Sequence, residues 1–176
     1  FGGWDYPQSL CSASDMVEQG YRGGVPMGSD LPPATATSTA PRFLVSANMD
    51  TGTAEYPGSP LQRIQLIKGW YEDGELREQV LDVAGGDNDA TVDINTCEPS
   101  GGGHRQLCSV WQDNDFNPNA PAFYYTRLLE NPTCRWSQRI CAAAGVRCDK
   151  PEGIPEGLEN CCAPEHQKVI QERAWS

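Results

Sequence analysis

Between residues 42 and 49 the side chains alternate: Phe43, Val45 and Ala47 fall on one side of an extended chain, Leu44 and Ser46 on the other. A period of two marks a strand, so Arg42 to Met49 is predicted as one. Leu61 to Tyr71 alternates too, with Ile64, Leu66 and Trp70 sharing a face with Lys68. Glu72-Asp73-Gly74-Glu75 follows, and Asp-Gly is a strong hairpin signal because both residues tolerate positive φ. Leu76 to Ala84 is then the returning strand. Gly85 to Asp89 reads as another turn, Thr91 to Ile94 as a short strand and Leu107 to Trp111 as a longer one. Ala122 to Glu130 is apolar or aromatic on both sides: Phe123, Tyr125 and Leu129 on one, Tyr124 and Leu128 on the other. Such a strand is expected mid-sheet and covered on both faces. Arg127 within it then needs a carboxylate or carbonyl partner. Val169 to Trp175 reads as a final strand.

Helical signals are few. Ser14 to Gly20 has a capping residue and a glycine stop. Ser137 to Ala144 has room for two turns, capped by Ser137 and stopped by Gly145. The 18 Gly and 14 Pro among 176 residues favour turns and short strands. The expected fold is mainly β, an antiparallel two-layer sandwich of five to seven strands with little helix. An irregular segment, 1–40, with the small polar run Ala34 to Ala40, would pack on the sheet. Residues 41–131 would form the sandwich core. Residues 132–176 would form a disulfide-rich, loop-dominated C-terminal segment ending in the last strand.

Eight cysteines carry the strongest chemical signal: Cys11, Cys97, Cys108, Cys134, Cys141, Cys148, Cys161 and Cys162. There is no Cys-x-x-Cys, and this density points to disulfides in an oxidising compartment, periplasmic or extracellular. Eight cysteines allow 105 pairings. Cys97 and Cys108 flank the turn Ser100 to Gly103, and one open pairing has them close a small loop. Cys11 must then reach the C-terminal cluster, and the adjacent Cys161 and Cys162 take different partners. The rival reading is zinc, with His166 as a fourth ligand, although the spacings match no usual zinc knuckle.

A net charge of −11 argues against nucleic acid and anionic membrane surfaces. No apolar run is long enough for a membrane span. His104 and His166 both lie in loops and are expected to be exposed. There is no Gly-x-Ser-x-Gly elbow, phosphate-cradling loop or dinucleotide fingerprint. Asp113-Asn114-Asp115-Phe116-Asn117 offers oxygen ligands at alternate positions. Asp113 and Asp115 are therefore weak calcium candidates, without the glycine and distal glutamate of an EF-hand. The competing reading is an Asx-rich turn. Asp87-Asn88-Asp89 carries the same ambiguity.

Several charged residues sit beside aromatics: Lys68 before Gly69-Trp70, Arg135 before Trp136, and Glu172-Arg173 before Trp175. Arg127 leads to Glu130. Stacking and ion pairing at sheet edges account for such neighbours structurally.

The motifs Phe1-Gly-Gly-Trp, Gly24-Val-Pro-Met-Gly28, Gln65-Leu-Ile-Lys-Gly-Trp70, Ala122-Phe-Tyr-Tyr-Thr-Arg-Leu-Leu-Glu130, Asn131-Pro-Thr-Cys-Arg-Trp136 and Ile170-Gln-Glu-Arg-Ala-Trp-Ser176 run in order along nearly the whole chain. They resemble the C-terminal part of the domain of unknown function 3604 family. The resemblance implies a secreted or periplasmic protein with an amidohydrolase- or PHP-like metal-binding region upstream of Phe1. Its His- and Asp-rich motifs are absent here, so no catalytic residue, cofactor or metal ligand carries over to this chain. Any divalent metal would belong to that upstream region. The family pattern continues past Ser176, which implies one section of a longer polypeptide. Lys68, Arg127, Glu130, Glu172 and Arg173 match motif positions and are expected to border a cleft shared with the remainder. Two functions compete: the β-rich scaffold section of a metal-dependent hydrolase acting on phosphoesters or related bonds, or a non-catalytic extracellular binding or assembly module. In the second, strand edges would pair in a homo-oligomer. Calcium-dependent adhesion through Asp113 and Asp115 is a third.

Overall fold

Asp73 and Gly74 take φ of 52° and 84°, the two-residue reversal whose twist suits a hairpin. They join β4 (Leu61–Glu72) to β5 (Glu75–Gly85), the longest hairpin of the molecule. The computed structural model describes residues 1–34 and 40–176. Most of the Ala34 to Ala40 run lies outside the described residues. The remaining strands are β1 (Gly2–Gly3), β2 (Gly24–Val25), β3 (Arg42–Asn48), β6 (Thr91–Val92), β7 (Pro99–Ser100), β8 (Gln106–Gln112), β9 (Ala122–Glu130), β10 (Thr133–Cys134), β11 (Val169–Ile170) and β12 (Arg173–Trp175). Among the described residues two helices, α1 (Met16–Gly23) and α2 (Trp136–Ala143), join them, with short 3₁₀ turns at Gln8–Ser12, Pro151–Gly153 and Glu159–Cys162.

The fold is mainly β with antiparallel sheets, as the alternation predicts. One four-stranded sheet has the order β2-β1-β3-β8 and the other β12-β9-β4-β5. Val45 and Leu107 from the first sheet meet Leu61, Ile64 and Leu66 from the second, with Phe43, Trp111, Tyr124 and Leu128 around them. Those are the inner faces that the period of two assigns. The opposite face of β3 and β8 is not bare: Leu44 and Val110 pack under Tyr6 and Leu10. The N-terminal segment therefore covers the first sheet from outside.

Several expectations change. The first helix begins at Met16 and runs through Gly20. Gly20 does not end it, because that glycine makes room for Phe1: a Cβ there would stand 2.7 Å from the ring. The second helix starts at Trp136, without a side-chain cap from Ser137, and the left-handed Gly145 follows it. The predicted last strand is two. β11 pairs with β10, and β12 pairs with β9. Between them Gln171 turns aside to donate to Gln62 at 2.8 Å. β9 does lie mid-sheet, between β12 and β4. Its outer face is open, however, with Phe123 58% exposed.

The four bridges are Cys11–Cys108, Cys97–Cys134, Cys141–Cys161 and Cys148–Cys162. The Cys97–Cys108 loop does not form, and Cys11 does not reach the C-terminal cluster. Cys108 alternates with Leu107 and Ser109 on β8, so it faces outward, where the Gln8–Ser12 turn brings Cys11. Cys97 instead follows β6 with φ of 59°. It closes the β6–β7 hairpin against β10 through Cys134. Cys161 and Cys162 take different partners, as expected. All eight sulfurs are bridged, which points to an oxidising, extracytoplasmic setting. Among the described residues, no helix is long and apolar enough to cross a membrane.

Candidate functional site

Lys68 lies on the inner face of β4, in step with Ile64 and Leu66. An ammonium on that face needs an anion, and the chain leaving β8 supplies Asp113. Lys68 Nζ stands 2.6 Å from Asp113 Oδ2, with both side chains almost wholly buried. Lys68 also donates to the backbone oxygen of Asp115 at 3.1 Å and lies over the Trp70 ring at 5.4 Å. Tyr124, directly opposite Lys68 on β9, donates its hydroxyl to the same Asp113 oxygen at 2.6 Å. Burial, and then that carboxylate, push the Tyr124 hydroxyl pKa far above its ordinary value. The second Asp113 oxygen accepts the Asp115 amide at 3.1 Å, an Asx turn. The Asp113 carboxylate is thus taken up by a lysine, a tyrosine and a backbone amide. A cavity of about 320 Å³ opens beside the node, lined by Lys68, Trp70, Glu72, Asp115 and Phe116.

Arg127 lies on the opposite, outer face of the second sheet. Its Nε donates to Gln65 Oε1 at 2.7 Å, the carbonyl-type partner the sequence demands. The guanidinium sits 5.3 Å from the centre of the Trp175 ring. Gln65 passes the chain of bonds on to Asp82 at 2.8 Å. Arg63 pairs with Asp82 at 3.2 Å and Asp87 at 2.6 Å. A polar ladder therefore crosses β9, β4 and β5.

Glu130 ends β9, and its amide donates to the Glu172 backbone oxygen at 3.1 Å. Burial, with Glu172 and Asp50 nearby, raises the Glu130 pKa; a hydrogen bond with Ser59 opposes the rise. Arg173 pairs with Leu129 across β12 and β9. The five charged positions thus divide: Lys68 faces inward, Arg127 faces outward, and Glu130, Glu172 and Arg173 share the far end of β9.

In the sequence Asp113 stood out as half a cation loop or as part of an Asx-rich turn, and the turn is what forms at Asp115. Its true partner was signalled by Lys68, whose place on an apolar face requires a buried acid. Asp82 drew no attention, and Gln65 and Tyr125 appeared only within strand and motif patterns, because their roles depend on cross-strand register. His104 is exposed and bridges Leu61 through the backbone, each amide donating at 2.9 Å. His166 is half-buried between Ser137 and the Asn160 carbonyl.

A family model for DUF3604, described as a protein of unknown function, matches residues 1–176. The chain belongs to the DUF3604 family. No curated protein and no solved structure matches it. Among the described residues of this DUF3604 chain, the one group of three metal-ligand types close together is Cys141, Cys161 and His166, whose ligand atoms lie within 4.8 Å of one another. Cys141 and Cys161 are bonded to each other, so their sulfurs are not thiolates, and only a thiolate ligates zinc well. This group does not fit a metal ion in the oxidised protein.

Proposed function

We propose that this DUF3604 chain is a disulfide-stapled scaffold and binding section of a secreted or periplasmic protein, and that any reacting groups belong to other parts of that protein. The observation that carries the reading is how its charged candidates are used. Lys68 is consumed by Asp113 inside the sandwich. Arg127 is held by Gln65 and Trp175 on the sheet surface. Meanwhile Phe123 and Trp175 stand more than half exposed on that same surface, as in a face that meets something else.

A second reading makes the chain the cleft wall of a metal-dependent hydrolase, its partner being the remainder of the polypeptide. The corner of Glu130, Glu172 and Asp50 favours it, because like-charged carboxylates gathered with a raised pKa are common beside functional clefts. The test is assay of the purified, oxidised chain with bis-p-nitrophenyl phosphate in Zn²⁺ and in Mn²⁺. The scaffold reading expects a folded protein with no turnover. Turnover abolished by Glu130→Gln would replace it with a catalytic one.

A further inference from the structure

We propose that the outer face of the second sheet binds neutral carbohydrate, with sugar rings stacking on Phe123, Tyr125 and Trp175; this rests on reading the chain as a binding section. Alternation puts Gln65, Ile67 and Gly69 of β4 on that face, with Val80 and Asp82 of β5 and Phe123, Tyr125 and Arg127 of β9. Register adds Trp175, directly opposite Arg127. The rings run in a row. Phe123 and Tyr125 are 6.3 Å apart and within 10° of parallel. Tyr125 and Trp175 are 6.0 Å apart at 36°.

Gly69 makes the row flat. It sits directly across from Phe123, and a Cβ there would lie 2.3 Å from the ring, whose carbons are its three nearest neighbours. With no side chain beneath it, Phe123 lies down across β4, while 58% of the residue remains exposed; Trp175 is 56% exposed.

The charges of the face balance in number: Arg63 and Arg127 stand with Asp82 and Asp87, and Arg173 and Glu78, on the same alternating face, add one of each sign. Arg63 pairs with Asp82 and Asp87, and Gln65 links Asp82 to Arg127. The face therefore offers fixed hydrogen-bonding groups beside aromatic planes, with its charges balanced. Its complement is an uncharged ligand with apolar C–H faces and many hydroxyls. Pyranose rings have that character: their C–H faces meet the negative π-face of an aromatic ring, and their hydroxyls meet amides, carboxylates and guanidinium groups. The chain's −11 charge repels acidic polymers but not neutral sugars. A protein partner is less well matched, because its anchor side chains need pockets and this row is flat.

The test is calorimetric titration of the oxidised chain with cellohexaose, xylohexaose, mannohexaose and hexa-N-acetylchitohexaose. At least one is expected to bind saturably. Phe123→Ala and Trp175→Ala should each weaken it about tenfold, and Gly69→Ala should weaken it by displacing Phe123. Trp136→Ala removes a Trp that is 74% exposed on α2, and should leave binding unchanged. Circular dichroism of each variant confirms that it is folded. The proposal is overturned if none of the four sugars binds at millimolar concentration, or if binding survives both Phe123→Ala and Trp175→Ala. It is also overturned if the wild-type chain binds no sugar but self-associates through this face, with Phe123→Ala and Trp175→Ala abolishing the self-association in sedimentation. That last result would leave the binding-section reading standing. Catalytic turnover by the chain would instead remove that reading without touching the sugar result.

Discussion

Lys68 and Asp113 form a 2.6 Å ion pair inside the sandwich, and the pair ties the loop after β8 to the centre of the second sheet. Neither charge is left without hydrogen bonds: Tyr124 and the Asp115 amide complete the carboxylate, and the Asp115 carbonyl helps complete the ammonium. A pair of this kind adds little over a well-packed apolar pair, but losing one member strands the other.

Lys68→Met is therefore expected to destabilise the protein by about 3–5 kcal/mol, because it leaves Asp113 charged and buried. Adding Asp113→Asn to that variant should restore part of the loss. Urea unfolding of both variants measures it. A Lys68→Met variant within about 1 kcal/mol of wild type would mean that the pair is solvated.

The Cys11–Cys108 bridge spans 97 residues, and Cys148–Cys162 spans 14. In the chain-entropy account a closure near 100 residues stabilises by about 4.7 kcal/mol and one near 15 by about 3. Cys11→Ala with Cys108→Ala should thus lower the urea midpoint more than Cys148→Ala with Cys162→Ala. The first pair also releases the N-terminal segment from the outer face of β8. The reverse order would show that native strain, rather than loop closure, governs these bridges.

Glu130 gives a pH dependence of definite sign. Its folded pKa is raised, first by burial and then by Glu172 and Asp50, above the ordinary 4.5. Between the unfolded and folded values the native state holds more protons, so stability falls as pH rises through that window. Glu130→Gln removes this loss. The variant should melt higher than wild type at neutral pH, and the gap should close below pH 4.5. Melting temperatures across an acid-to-neutral series measure it. A gap that persists in acid would trace the gain to packing instead.

What the sequence disclosed follows from which interactions are local. Phe43, Val45 and Ala47 lie in one strand, so their shared face is visible in their spacing. Asp73-Gly74 carries its own turn chemistry. The division of β11 from β12 is different, because it depends on Gln171 reaching Gln62 and on Glu172 meeting Glu130. β1 and β2 are two-residue strands holding three glycines, which have no side chains to alternate. The Cys11–Cys108 pairing depends on which face of β8 Cys108 takes and on what covers that face. The Phe123–Tyr125–Trp175 row was present as three aromatics, but its flatness comes from Gly69 on another strand.

Disulfide mapping decides whether four particular bridges staple the sandwich. Unreduced protein is alkylated under denaturing conditions, digested, and its linked peptides are sequenced by tandem mass spectrometry. No alkylated cysteine is expected, and the links should be Cys11–Cys108, Cys97–Cys134, Cys141–Cys161 and Cys148–Cys162. A Cys97–Cys108 link, or free thiols at Cys11 and Cys108, would contradict it.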